Sequence, residues 1–491
     1  MKAIYFDSQI PEKIAKEKFC FPEGIMMENA ASSLEKAVLE NPFGADSKVL
    51  IICGSGNNGG DGIALARRLL GKYSVYVYCV KNPKTEESLV QLKMAQNVGV
   101  PFLSEQDFYA LLESKRINVI VDCLFGTGFL GIPDEKSSKI LNTVNSYECY
   151  KIACDIPSGI DKSGNVAIND EVSLVFKADV TVTMGALKTA LFSDAAKDFV
   201  GKIICAELGI SEKVFNSLEN PTALLLESSD INLPIRKAKS AHKGIFGHAY
   251  VIPGEKPGAG IIAATSALEF GCGLSTICDK FSDFSKFKIP MDLMFSSEIP
   301  NNVSAILLGS GFGRNQQSID TALDFIKQFL CNNKCSFVFD ADIFYYEKLP
   351  LLLEELKNQQ VILTPHPKEL FYLLKLYDIK VSSVEEVIHN RFEFCKKFTE
   401  KNPNCVLVSK GANTYICHQN EIFICDVGSV ALAKAGSGDV LAGMCLSLLA
   451  QGYDCVKAAQ TAVYAHGIAA SKYEQNYGLT PSKLISLIKN K

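Results

Sequence analysis

The sequence lacks the features that mark several large classes of protein. It carries no surplus of one charge: 50 Lys+Arg stand against 54 Asp+Glu, a formal net charge of -4. No global field is available to gather nucleic acid or an anionic membrane surface, and neither is expected as a partner. No apolar run approaches the roughly 20 residues that span a bilayer; the longest, around Val440–Ala450, is broken by Ser447. The opening MKAIYFDSQIPEK lacks the continuous apolar stretch of a signal peptide, which points to the cytoplasm. There is no CxxC pair among the 17 cysteines, and many of them, such as Cys53, Cys79, Cys123, Cys205 and Cys425, lie inside apolar runs. Metal binding and redox chemistry therefore give way to small buried thiols in a reducing compartment. No internal repeat is visible, which argues against a duplicated domain.

What is present is an ordinary globular balance, 47% hydrophobic and 21% charged, in a chain of 491 residues. At roughly 100–200 residues per domain, that length suggests two to four domains. Short apolar runs at Lys48–Cys53, Ser74–Val80, Asn118–Asp122, Lys151–Asp155 and Asp179–Thr183 read as buried strands. Helical patterns lie between several of them, at Ile63–Leu70, Glu87–Val98 and Gln106–Lys115. Alternating strands and helices imply a parallel sheet covered on both faces. Around Ser211–Pro234 the chain turns polar, with Pro221 and Pro234 bracketing a short strand at Ala223–Leu226. This places a domain boundary near 215, giving domains 1–215 and 216–491. The second half restarts as α/β, with strands at His248–Ile252, Leu274–Cys278, Ala305–Leu308, Phe337–Asp340, Val361–Thr364 and Val406–Ser409. Thr414–His418 and Glu421–Cys425 read as a hairpin turning near Gln419–Asn420. Helices are expected at Ala259–Phe270, Gly436–Gln451 and Val456–Ser471.

Gly54–Gly62 (GSGNNGGDG) sits between a strand and a helix, with five glycines in nine residues. Such a loop lets the backbone approach a ligand closely, and the helix behind it presents amides to a phosphate. It lacks the GK[ST] of a P-loop, and a plain Asn-rich turn capping the helix would explain it equally well in isolation. Two more strand ends add to it: Asp122 precedes Gly126–Gly131 (GTGFLG), and Asp155 precedes Pro157-Ser158-Gly159. A single Asp at a strand end reads as a structural cap. Three strand ends bearing Asn58, Asp122 and Asp155 can converge where open α/β sheets bind ligands.

NNGGDG, DCLFGTG and DIPSG, in that order, resemble the epimerase domain of the NAD(P)H-hydrate repair proteins, as do MENAA at Met27–Ala31 and the block Phe176–Leu191. Ala31 replaces a glycine of the family pattern. The resemblance covers most of residues 1–215 and implies a Rossmann-like three-layer domain. It implies that Asn57, Asn58, Gly59, Gly60 and Asp61, with Gly126, Thr127, Gly128, Phe129, Leu130, Gly131 and Ile132, hold the hydrated dinucleotide. Asn58, Asp122 and Ser158 would bind a potassium ion through oxygen. Asp155 would touch the substrate and act as the acid/base group in inverting the carbon that bears the hydroxyl.

In the second half, Ala435–Gly443 (AGSGDVLAG) runs a Gly/Ser loop into a helix with Asp439 in its first turn. Asp439 either stabilises the helix start by charge–dipole attraction or deprotonates a hydroxyl that attacks a phosphoryl group. Lys410–Thr414 (KGANT), Gly309–Arg314 (GSGFGR), Phe339–Phe344 (FDADIF) and Leu363–Leu370 (LTPHPKEL) all stand at strand ends. Together with His242–Gly247 (HKGIFG), they resemble the ribokinase-like superfamily, and more closely the NAD(P)H-hydrate dehydratase domain, over roughly 220–491. Pro253–Gly260 (PGEKPGAG) departs from that family's pattern. The resemblance implies a C-terminal ribokinase-like α/β domain in which Asp439 is the catalytic base. Lys410, Gly411, Ala412, Asn413, Thr414 and Gly438 would bind the adenine nucleotide. Ala259, Gly311, Gly313, His366 and Asp439 would contact the substrate. ADP with Mg²⁺ would phosphorylate the hydrate's hydroxyl, and loss of phosphate would restore NADH or NADPH. A homo-oligomer is expected. Two alternatives stay open: a ribokinase-like small-molecule kinase that keeps its phosphorylated product, and a nucleotide-binding scaffold.

Overall fold

The computed structural model describes residues 1–44 and 46–489. The chain separates into two compact units, Lys2–Leu224 and the residues from Leu225 on. The division falls later than the boundary placed near 215, because the intervening residues are tied to the first unit. Phe215 packs with Tyr5 and Ala186. The Tyr5 hydroxyl donates to Asn216 Oδ1 at 3.1 Å, and the Thr222 amide donates to the Ile4 carbonyl at 2.8 Å.

The first unit is built on a 6-stranded sheet. Its strands are β1 (Lys48–Cys53), β2 (Ser74–Cys79), β3 (Val119–Cys123), β4 (Tyr150–Cys154), β5 (Val180–Met184) and β6 (Lys202–Ala206). They run in the order β2-β1-β3-β4-β5-β6, parallel throughout. Along β1 the side chains alternate between two cores, as the two-residue period of a strand requires. Val49 and Ile51 join Leu34 and Ile63 on one face, while Leu50 and Ile52 join Phe108, Ile140 and Leu141 on the other. This is the three-layer arrangement expected. Helices α1 (Gln9–Phe19) and α2 (Glu23–Leu39) precede the sheet, and α3 (Asn57–Leu69) follows β1.

One boundary differs from expectation. Helix α3 begins at Asn57 rather than near Ile63, so the glycine run forms the helix's own first turns. The reason is close packing. A Cβ on Gly59 would lie 2.1 Å from the Gly54 carbonyl oxygen, and one on Gly62 2.8 Å from Cys123 Sγ. Only glycine lets the helix start seat this tightly on the strand ends.

The second unit orders its strands β9-β8-β7-β10-β11-β12-β13-β14-β15. These are β7 (His248–Ile252), β8 (Leu274–Cys278), β9 (Met294–Ser296), β10 (Ala305–Leu308), β11 (Ser336–Phe339), β12 (Val361–Leu363), β13 (Cys405–Ser409), β14 (Thr414–His418) and β15 (Glu421–Cys425). Pairing is parallel up to β13, and the expected hairpin β14–β15 is added antiparallel. Helices α4 (Pro257–Glu269), α5 (Ser437–Ala450) and α6 (Cys455–Ser471) supply much of its helical layer. A Cβ on Gly443 would meet the Ala263 carbonyl at 2.2 Å, and Ser266 Oγ donates to the Val440 carbonyl at 2.7 Å, so α4 and α5 touch backbone to backbone. Among the described residues no helix is long and apolar enough to cross a membrane.

Two candidate active sites

In an open α/β sheet, loops part where successive connections leave in opposite directions, and the crevice between them binds ligands. In the first unit that point lies between β1 and β3, which are neighbours while β2 and β4 lie outward. A cavity of about 610 Å³ opens there. It is lined by Gly54–Asn58 and Asp61 from the β1 end, by Leu124–Leu130 from the β3 end, and by Asp155 and Met184 from β4 and β5. Ser8, Gln9, Glu12 and Lys81 complete the wall. Of the residues expected to hold substrate, Asn57, Asn58, Asp61, Gly126, Thr127, Gly128, Phe129, Leu130 and Asp155 therefore come together. Gly59 and Gly60 sit behind the lining in buried helix, and Gly131 and Ile132 lie beyond it. No side chain caps α3, which leaves its first amides for a bound anion. Gly54, Gly56 and Gly59 also stand at the G-x-G-x-x-G spacing of a dinucleotide-binding turn.

Asp155 sits in a left-handed backbone conformation, φ +69°. Its Oδ1 accepts from Lys188 Nζ at 2.7 Å and from the Met184 amide at 3.2 Å. The Lys188 side chain is fully buried, and its ammonium also donates to Thr183 Oγ1 at 3.0 Å and to the Met184 carbonyl at 2.8 Å. The other carboxylate oxygen, Oδ2, faces Gly126, where an added Cβ would be 3.4 Å away. One oxygen is thus anchored to the protein and the other faces the glycine loop that walls the cavity. Two further carboxyls stand nearby. Burial, then the charges of Asp155 and Glu12, hold Asp61 well above the usual carboxylate range. Burial likewise raises Glu12.

Asp122 and Ser158 lie beneath the cavity floor, both buried. Ser158 donates to Asp122 twice, from its amide to Oδ2 at 2.8 Å and from its hydroxyl to Oδ1 at 2.7 Å. Burial nonetheless raises Asp122 to about 6, against those hydrogen bonds. Asn58 Nδ2 donates to the Phe125 carbonyl at 3.0 Å, while its Oδ1 is buried without a hydrogen-bond partner. Asn58 and Ser158 share the Phe125 carbonyl as acceptor, and the unpartnered Asn58 oxygen, that carbonyl and Asp122 are oxygen donors of the kind a hard cation takes. These residues could hold such an ion, potassium included.

In the second unit the switch falls between β7 and β10. The two loops there bond to each other: the Glu255 amide donates to the Phe312 carbonyl at 3.2 Å and the Lys256 amide to that of Gly311 at 2.8 Å. This contact draws Gly311 and Gly313 beside the start of α4, which carries Ala259. A Cβ on Gly311 would lie 2.9 Å from Ala259 Cβ. Helix α5 begins at Ser437 behind Gly436, at φ +92°, with no side-chain cap. Lys410 Nζ reaches this helix start, 3.4 Å from where a Gly438 Cβ would be. It donates to Asp340 Oδ1 at 2.9 Å and lies 3.9 Å from Glu369 Oε2. Burial pulls the Lys410 ammonium down, but Asp340, Glu369 and Asp439 together outweigh that and hold it above its ordinary value. Asp439 is raised to about 7, first by burial and then by Asp340, with the Ser310 hydroxyl and Lys410 acting the other way.

The expected site residues differ in their surroundings. His366 is the N-cap of helix Pro367–Leu376: its Nδ1 accepts from the Glu369 amide at 3.2 Å, and Glu369 Oε2 accepts from the His366 amide at 2.8 Å. Its side chain is still 47% exposed, so it can cap the helix and meet a ligand together. The Lys410–Thr414 loop is organised by a residue that the sequence reading missed. Arg391 is 2% exposed and donates to the carbonyls of Ser409 and Asn413. His466, also missed, donates from Nε2 to the Ser437 carbonyl at 3.1 Å, and burial lowers it to about 4. A neutral imidazole therefore braces the start of α5. Asp340 is held by Ser310, Thr364 and Lys410, and Glu369 by the His366 side chain. Asp340, Glu369 and Asp439 could serve a magnesium ion here, which would supply charge neutralisation for bound phosphates.

Two α/β units, each placing carboxylates and an uncapped helix start at a sheet's switch point, define a two-site enzyme for anionic nucleotide ligands. Residues 249–491 match the NAD(P)H-hydrate dehydratase family, and residues 23–190 match the family described as YjeF-related protein N-terminus. The bifunctional NAD(P)H-hydrate repair enzyme of Helicobacter pylori is 42% identical, over 100% of both chains. That of Coxiella burnetii is 30% identical over 97% of this chain and 96% of its own. A solved ADP/ATP-dependent NAD(P)H-hydrate dehydratase of Bacillus subtilis, co-crystallised with ATP/Mg²⁺, covers 52% of this chain and 91% of its own, at 24% identity and TM-score 0.42. The chain belongs to the family of bifunctional NAD(P)H-hydrate repair enzymes.

Proposed function

We propose that the first unit interconverts the R and S forms of NAD(P)H hydrate and that the second dehydrates the S form at the expense of ADP. In this reading Asp155 is the proton-handling group of the first site. The observation that carries it is the split of its two oxygens, one held by the buried Lys188 ammonium and one facing the glycine loop of the cavity. Asn58, Asp122 and Ser158 would hold a potassium ion, which would supply fixed positive charge for an anionic substrate. In the second site Asp439 takes the proton of the hydrate's hydroxyl as that oxygen attacks the β-phosphoryl group of ADP. A carboxyl raised to about 7 is matched to that task near neutral pH. The uncapped start of α5 and Lys410 face the negative charge that moves in this step. Magnesium would neutralise the transferring phosphates. Phosphate then leaves in place of hydroxide, the far poorer leaving group, and AMP is released. The 17 free cysteines suit a reducing cytoplasm. Self-association, also part of this reading, is tested by sedimentation.

The test follows the reduced cofactor's absorbance at ~340 nm from mixed R and S hydrates with ADP and Mg²⁺. Wild type should consume both epimers. Asp155→Asn should recover only the S fraction rapidly, and Asp439→Asn none. If the wild type restores no absorbance, the dehydratase reading fails. If Asp155→Asn matches it on both epimers, the role of Asp155 fails.

A further inference from the structure

The cavity of the first unit gathers three carboxyl side chains, Glu12, Asp61 and Asp155. The buried ammonium beside them is Lys188, and it is bonded to Asp155. Lys81, also in the wall, is exposed and paired with Asp134. Burial and the charge of neighbouring carboxylates hold Glu12 and Asp61 above the ordinary carboxylate range, which favours the protonated acid on the groups not bonded to Lys188. Inverting a carbon that bears a hydroxyl needs both states at once. A proton must reach the oxygen that leaves, and another must be taken from the water that arrives.

We propose that Glu12 is a catalytic residue of the first site, delivering the proton on which the hydroxyl departs, while Asp155 receives the proton of the incoming water. This rests on the epimerase reading above. In the step, the lone pair of the ring nitrogen expels the hydroxyl from the neighbouring carbon. The C–O bond breaks, and the Glu12 proton goes to the departing oxygen. The products are water and a ring iminium. Water then bonds to the opposite face of the same carbon and gives its proton to Asp155. No electrons are exchanged, and one proton has moved from Glu12 to Asp155. Cavity water returns it, reached past the exposed side chains of Asn57 and Lys81 in the wall.

Glu12 is better placed for this than Asp61. Asp61 Oδ2 faces the Cys154 thiol at the sheet, 3.9 Å away, and the side chain is buried under the first turns of α3. Glu12 stands on α1 at the wall and is only half-buried, so it can be reprotonated at each turnover. One of its oxygens, Oε1, accepts from the buried Ser8 hydroxyl, which orients the carboxyl. The charged groups that act on it are Lys188, Asp155 and Asp7, with Asp61 beyond, and burial is the largest influence. These influences together hold Glu12 above the ordinary carboxylate range.

The test uses the full chain with Glu12→Gln and Glu12→Asp. Epimerisation above the protein-free rate is measured from about pH 5 to 8, with S-hydrate consumption as the control on the second unit. Calorimetric binding of R hydrate checks that the first unit is intact. Glu12→Gln should lower kcat by about 10²–10⁴-fold with little change in KM, and should abolish the loss of activity toward high pH. Glu12→Asp should restore part of the rate and keep a pH dependence. If Glu12→Gln keeps the wild-type kcat and profile, or alters KM alone, the assignment is overturned. If the wild type itself does not exceed the protein-free rate, the epimerase reading fails first.

Discussion

Replacing Asp439 by Asn should stop dehydration and at the same time make the second unit more stable. The Asp439 carboxyl is raised from 3.8 to about 7, mainly by burial and then by Asp340. Between those values the folded chain keeps a proton that the unfolded chain releases. Stability therefore falls as pH rises from about 4 to about 7 and is level above that. At 1.36 kcal/mol per tenfold change, the whole gap corresponds to ~4 kcal/mol. Residual solvent contact lowers the effect, so a gain of about 2–4 kcal/mol is expected for Asn at pH 8, shrinking toward zero near pH 4. The chain has no tryptophan, so urea unfolding is best followed by far-UV circular dichroism, at about pH 5 and pH 8. A variant no more stable than wild type at pH 8, or equally favoured at both pH values, refutes the reasoning. The same carboxyl sets the pH profile of dehydration. Its ionised form is the base, so kcat/KM should rise through about 7 and be about tenfold lower at pH 6 than at pH 8.

Other outcomes follow from single contacts. Lys188→Met leaves the Asp155 carboxylate without its buried partner, and should cost about 3–5 kcal/mol in the first unit, read as a lowered thermal midpoint; an unchanged midpoint would contradict the buried pair. Potassium should raise the wild-type midpoint relative to an equal concentration of a bulky organic cation, and should not do so in Asn58→Ala. Equal stabilisation of both chains would move the ion elsewhere. Arg391→Met removes the donors that hold the Lys410–Thr414 loop, and should raise the KM for ADP by about tenfold or more while epimerisation is unaffected.

The parts of this protein that the sequence alone determined are those governed by local rules. Runs such as KVLIIC and VIVDC announce buried strands, because a sheet covered on both faces needs every side chain apolar. Asn58, Asp122, Asp155 and Asp439 were legible because each stands at the end of such a run or in a glycine loop beside a helix. The hairpin around Gln419–Asn420 was legible for the same local reason. Other features were decided by tertiary structure. Helix α3 starts inside its glycine run although glycine is a poor helix former, because only contact with Gly54 and Cys123 rewards it. Lys188 reads as an ordinary polar residue until folding buries it against Asp155, 33 positions away. Glu12 lies in a polar amphipathic stretch, and only the fold brings it to the cavity wall beside Ser8 and Gln9. Arg391 and His466 support loops far from them in sequence, at Ser409–Asn413 and Ser437. Periodicity and turn chemistry act over a few residues and can be read along the chain. The charge state of a carboxyl depends on which groups the topology brings within a few ångströms and on how much water remains there, and these exist only once the chain has folded.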